Sequence, residues 1–102
     1  MRIHYKKIAI DDIQATERYI SQELHNKTAA KKLTRSIAQA VSLLADNPYM
    51  GTPLNSKFDV DTDLRFLVVS KQLVFYRVSE ADERIDVTRV LDGRQDYMAI
   101  LF

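Results

Sequence analysis

The hydrophobic pattern of this chain changes period as it proceeds, helical in the first half and strand-like in the second. Met1 to Lys7 alternates, with Ile3 and Tyr5 on one side, and predicts a short first strand. Ile13, Ile20 and Leu24 then recur at helical spacing and leave Glu17, Arg18 and Gln22 for solvent, which predicts a helix of about four turns. Asp11 and Asp12 suit the positive end of that helix as it starts. His25, Asn26 and Lys27 break the pattern, and Asn26 or Thr28 offers a side-chain oxygen to cap the next helix. Ala30, Leu33, Ile37, Ala40, Val41 and Leu44 form one continuous apolar stripe that Asn47-Pro48 ends. Two such helices joined by so short a break make an antiparallel hairpin.

A polar stretch from Asn47 to Asp63 follows, with the composition of a turn and then an extended segment, and with Asp59, Asp61 and Asp63 at its far end. At about 16 residues it is near the upper limit for an unstructured connection, so its aromatic and aliphatic side chains are expected on the core. Three strands come next. Leu64 to Val69 is apolar except Arg65, Leu73 to Val78 is apolar except Arg77, and Ile85 to Leu91 alternates, with Asp86, Thr88 and Arg89 interposed. The near-continuous runs predict strands covered on much of both faces, and the alternating one a half-exposed strand. Ser70 to Gln72 and Glu80 to Glu83 supply the turns, so two antiparallel hairpins share the middle strand. The expected fold class is α+β: a short N-terminal strand, a helix hairpin packed on an antiparallel sheet of three to four strands, and a short C-terminal apolar helix or tail.

Length and composition narrow the picture. At 102 residues the chain is expected to be one domain, residues 1–102. No cysteine is present, so neither a disulfide framework nor a thiolate metal site is available. No apolar run approaches the roughly 20 residues of a membrane span, and Met1 to Ile10 is too charged for a signal peptide, so a cytoplasmic location is expected, with no membrane partner. A formal net charge of +1 argues against a protein that grips nucleic acid mainly through phosphates, which calls for a strong positive excess or a basic face.

Local clusters of charge therefore become the candidates. Lys27, Lys31 and Arg35 are spaced four apart on the second helix with Lys32 beside them; this is either a solvated face or a docking surface for an acidic partner. Arg65, Arg77, Arg89 and Arg94 come from the sheet or its exit and are candidates to converge on a phosphate or carboxylate, or else to pair with acids such as Asp63, Asp86, Asp92 or Asp96. Tyr97, after Gly93-Arg94-Gln95-Asp96, is either a proton shuttle or an aromatic anchor packing with Met98, Ile100, Leu101 and Phe102. His4 and His25 are the only imidazoles and lie far from that exit in sequence.

Helices first and a strand meander last, together with L-R-F-L-V-V (64–69), V-F-Y-R-V (74–78) and L-D-G-R-Q-D-Y (91–97), resemble the RelE/ParE superfamily of type II toxin–antitoxin toxins over nearly the whole chain. The resemblance implies a growth-arresting toxin neutralised by a cognate antitoxin, with no metal and no cofactor, and with operator DNA reached only through the antitoxin. Its nuclease branch, which cleaves mRNA on the ribosome, places lysines on the second strand and an arginine before an L-V-Y stretch. Here Leu64 and Phe66 stand in the lysine places and Leu73 in the arginine place, before Val74, Phe75 and Tyr76. A nuclease reading would have to rely on Arg65, Arg77, Arg94 and Tyr97. That departure favours the ParE-like branch, which poisons DNA gyrase and needs a shaped surface and no activated nucleophile. On this reading no catalytic residue is assigned, and Lys31, Arg35, Arg65, Arg77, Arg89 and Arg94 are the candidate contacts to target or antitoxin. A non-toxic interaction domain is the third reading.

Overall fold

The computed structural model describes residues 1–102. Strand β1 (Arg2–Tyr5) leads into helix α1 (Lys7–Arg18), whose last turn widens into a π-helical turn at Tyr19–Glu23. His25 reverses the chain in the left-handed region (φ 51°), and Asn26 caps helix α2 (Lys27–Ser42) by accepting from the Ala29 N–H at 3.0 Å. A 3₁₀ turn at Leu43–Ala45 extends α2, and the N-terminal ammonium donates to the Ala45 carbonyl at 2.9 Å. Then come β2 (Thr52–Pro53), a 3₁₀ turn at Leu54–Ser56, β3 (Arg65–Val69), β4 (Gln72–Ser79), β5 (Arg84–Asp92) and the short helix α3 (Tyr97–Leu101).

The five strands form one sheet in the order β1-β5-β4-β3-β2. The meander β3-β4-β5 is antiparallel as expected, and β1 joins it in parallel with β5, Ile3 beside Ile85 and Tyr5 beside Val87. The count exceeds the expected three to four because two residues of the polar stretch, Thr52 and Pro53, pair with Phe66 and Arg65. A bulge interrupts the β4–β5 register: Phe75 faces Arg89 while Tyr76 faces Val87, and the extra residue, Thr88, donates its hydroxyl to the Phe75 carbonyl at 3.2 Å.

Both faces of the sheet carry a core. On one, Ala9, Ile37 and Val41 of the helix hairpin bury Val74, Val87 and Val90, with Leu44, Tyr76 and Ile85 alongside. On the other, Leu54 and Leu64 bury Phe75, Leu73 and Leu91, with Phe58, Val60, Tyr97, Met98 and Leu101 packed on them. The long connection thus packs its apolar side chains as its length required, and α3 closes the same face. Tyr76 pins the connection's start: its hydroxyl donates to the Pro48 carbonyl at 2.9 Å and accepts from the Gly51 N–H at 2.8 Å. A Cβ at Gly51 would lie 2.5 Å from that hydroxyl, which is why the position is glycine.

Four expectations need correction. Helix α1 begins at Lys7, so Asp11 and Asp12 lie beyond its first turn; Asp11 pairs with Lys7 at 3.2 Å and Asp12 reaches β5. Glu17 is not left to solvent but accepts from the Thr34 hydroxyl at 2.7 Å, bridging the two helices. Strand β5 is not half exposed: Ile85, Val87, Thr88, Val90 and Leu91 are buried because β1 and α1 cover its far side. Strand β3 is less covered than its apolar run suggested: Leu67 and Val69 pack on the core beneath the helices, but Val68, on the opposite face, is 64 % exposed.

Candidate functional site

The cationic side chains do not form one patch. Arg65 and Arg77 sit where β3 begins and β4 ends, whereas Arg94 follows β5 beside the β3–β4 turn, about 17 Å away at some 3.4 Å per strand residue. The register also puts Arg65 on the face of its partner Tyr76 and Arg77, the next residue along β4, on the opposite face.

Arg65 is built into the fold. Its guanidinium donates to the Gly51 and Tyr49 carbonyls at 2.8 and 3.2 Å and lies 4.9 Å from the centre of the Tyr49 ring. The Tyr49 hydroxyl in turn donates to the Glu80 carboxylate, which raises its pKa. Arg65 therefore does not pair with Asp63; Arg77 does, Nε to Oδ1 at 2.6 Å, with both groups well exposed. Arg89 is held by Asp12, Nε and Nη2 donating to the two carboxylate oxygens at 2.8 and 3.0 Å, and this bond raises the arginine's pKa. Arg94 is exposed and forks onto Asp92 at 3.0 and 2.9 Å. These bonds and the Arg94 backbone N–H hold Asp92 down to about 2. Asp86 is taken by Arg84 at 2.9 Å, with His4 Nδ1 at 3.1 Å, and Asp96 is the cap of α3, accepting from the Ala99 N–H at 3.3 Å.

Lys31 and Arg35 remain as exposed cations on the outer face of α2, with no ion pair. Tyr97 is half-buried, its ring packed edge-on against Phe58 at 5.9 Å and tilted against Phe75 at 5.6 Å. Leu64 and Leu73 are buried and Phe66 packs on the same cluster, so these positions belong to the core. Tyr5 and Tyr76 are pushed up in pKa by burial, away from service as bases. No group of three His, Asp or Glu side chains is placed to hold a metal, and no helix is long and apolar enough to cross a membrane.

The residue pattern alone did not reveal a groove of about 760 Å³ where the end of the helix hairpin overhangs the β3–β4 turn and the exit from β5. Tyr19, Ile20, Leu24 and Leu33 form its apolar wall; Lys71, Gln72, Asp92 and Arg94 form the polar one. Of these only Arg94 stood out in the sequence as a candidate contact to target or antitoxin; Ile20, Leu24 and Leu33 read as apolar helix positions and Asp92 as an acid partner for an arginine. Lys71 and Gln72 read as turn residues, and the one available signal was a glutamine immediately preceding the apolar run of β4.

A helix hairpin on one face of a mostly antiparallel sheet, a short C-terminal helix on the other, and arginines held at opposite ends of the sheet define an α+β fold found in bacterial toxin–antitoxin systems. It superposes on a chain of the chromosomal ParDE TA system from P. aeruginosa with a TM-score of 0.73, at 19% identity, over 90% of this chain and 95% of that one. A chain of the intact E. coli RelBE toxin-antitoxin complex matches at 0.58 and 11% identity, over 92% of this chain and 98% of that one. No curated protein matches in sequence. The family model described as ParE toxin of type II toxin-antitoxin system, parDE, matches residues 3–97, and the chain belongs to that family.

Proposed function

We propose that this chain arrests growth by binding, as a ParE-like poison of DNA gyrase, and that a cognate antitoxin neutralises it in the cytoplasm. The observation that carries the reading is the burial of Leu64 and Leu73 together with the packing of Phe66. Those are the places where the nuclease branch would put its cations, and filling them with core side chains removes the groups that would hold charge on a phosphorane. A poison requires only a rigid surface. Lys31 and Arg35 on α2 offer exposed, unpaired cations on that surface, Arg77 and Arg94 are exposed but paired with Asp63 and Asp92, and Arg65 and Arg89 are engaged in holding the 49–51 loop and α1 to the sheet. The solved assemblies that share the fold are toxin–antitoxin systems, which supports a protein partner of the same kind here.

Induction of the gene alone tests the reading. Growth arrest with an SOS response and cleaved DNA is expected, and purified protein should inhibit supercoiling by purified gyrase. Arrest with rapid loss of translation and cut mRNA would replace this reading with ribosome-dependent RNA cleavage. Unaffected growth would leave a non-toxic interaction domain.

A further inference from the structure

Helix α2 carries Lys27, Lys31, Lys32 and Arg35 and no acid, and none occurs anywhere between Glu23 and Asp46. All four cations are exposed, and none makes an ion pair. Glu17, an acid that α1 brings against α2, is engaged by the Thr34 hydroxyl between the helices. The arrangement works against the helix itself. Lys27 stands in the first turn, where the helix dipole disfavours a cation, and Lys27, Lys31 and Arg35 repel one another at successive spacings of four. A face that serves only solubility mixes the two signs, and a departure from local consistency of this kind marks positions kept for function.

Composition says what meets the face. The apolar side of α2, with Ala30, Ile37 and Val41, is buried in the core, and the other exposed positions are Thr28, Ala38, Gln39 and Ser42. No aromatic or large aliphatic anchor stands among them. Protein interfaces have apolar and aromatic centres and are poor in lysine, whereas phosphate contacts come from Lys, Arg, Ser, Thr and Gln. Lys27, Lys31 and Arg35 rise about 6 Å apart along the helix, a row of about 12 Å that spans three to four phosphates of one strand at about 3.4 Å each.

We propose that the exposed face of α2 binds the phosphate backbone of duplex DNA without reading its sequence, and that the DNA it meets is the segment held by the target. The net charge of +1 keeps the affinity for free DNA low, so the contact adds to protein docking and does not replace it. Only the identity of that DNA rests on the gyrase reading; the phosphate contact does not.

Fluorescence anisotropy of a short labelled duplex of arbitrary sequence tests the contact. The wild-type chain is expected to bind with a Kd of roughly 10⁻⁴ to 10⁻⁶ M at physiological salt, with log K falling against log salt at a slope of about −3 to −4 for four neutralised phosphates. Lys31→Glu combined with Arg35→Gln should weaken binding about tenfold or more and reduce the slope by about 2. The pair of substitutions relieves both repulsions along α2 and should melt no lower than the wild type, so lost binding is not lost fold. Lys57→Glu, at an exposed position away from α2, should leave the affinity within a few-fold. Acetylation of the unsubstituted chain with and without the duplex needs no variant: Lys27, Lys31 and Lys32 should be protected and Lys57 should not. Absent binding, a slope near zero, or equal protection of Lys57 overturns the proposal. A supercoiling assay with purified gyrase separates the two readings. Weaker inhibition by the double variant is expected; full inhibition by it overturns the contact at the target, and lost inhibition with DNA binding intact assigns the face to an acidic protein surface instead. A wild-type chain that binds the duplex and leaves gyrase untouched overturns the gyrase reading and retains the phosphate contact.

Discussion

Asp12 on α1 grips Arg89 on β5 through two parallel hydrogen bonds of 2.8 and 3.0 Å, and the same carboxylate accepts the Val90 N–H at 3.0 Å. Strand β1 pairs with β5 only as far as Val87, so the rest of that edge would lack a neighbour. Asp12 stands in for the missing strand and ties the helix to the sheet at one point. The pair is mostly sheltered, with the side chains 14 % and 23 % exposed.

Asp12→Ala should therefore destabilise the fold by about 3 kcal/mol, since it strands a sheltered guanidinium and a backbone donor together. Urea denaturation measures this directly. A loss under about 0.5 kcal/mol would mean that the pair behaves as an exposed one.

Arg65 and Gly51 form a second prediction about the loop at 49–51. Arg65→Lys keeps the charge but loses the longer, planar guanidinium that lies over the Tyr49 ring while Nη1 donates to both the Tyr49 and Gly51 carbonyls, and it should cost roughly 1 to 2 kcal/mol. Gly51→Ala forces a methyl against the Tyr76 hydroxyl and the Phe66 carbonyl and should cost about as much or more. Hydrogen exchange at the Gly51 amide separates local release from global unfolding. Unchanged protection of that amide in Arg65→Lys would count against the clamp.

What was legible in the sequence follows from which interactions are local. The helix hairpin and the meander were readable because period, caps and turns are encoded within a few residues, as at Asn26 and Asn47-Pro48. The parallel docking of β1 on β5 was not, because nothing near Arg2–Tyr5 specifies a partner some 80 residues away. The same distance hid Asp12, which reads as a helix-start residue and acts as an edge partner for β5. The arginines were visible as candidates, but the acid that each one takes was not: Arg89 reaches Asp12 across the chain, Asp63 serves Arg77 and not Arg65, and Asp96 caps α3 instead of pairing with Arg94. The groove depends on where the hairpin ends in space, and neither half of it is contiguous in the chain.

The Asp92–Arg94 pair yields a pH dependence. Asp92 ordinarily titrates near 3.8 and is held down to about 2 by Arg94, so the stabilisation is complete above the ordinary value and is lost as pH falls toward 2. Arg94→Ala should leave stability near pH 7 almost unchanged, because solvent screens so exposed a cation. It should also make the stability curve less steep between pH 4 and 2, where the wild type loses this contribution. Thermal melts of both proteins across that range check the slope; parallel curves would mean that Arg94 does not hold Asp92 in solution.

Tyr97 separates binding from catalysis. Its ring packs against Phe58 and Phe75 at the base of α3, so Tyr97→Ala should cost about 3 to 5 kcal/mol. Tyr97→Phe keeps the ring and removes only the hydroxyl, and toxicity should then stay within a few-fold of wild type. If the hydroxyl moved a proton in RNA cleavage, the same change would lower the rate by roughly 100-fold or more. Growth arrest on induction, measured beside the melting temperature of the purified variant, distinguishes the two. Lost toxicity in a Tyr97→Phe protein that melts like the wild type would return Tyr97 to the site and overturn a mechanism by binding alone.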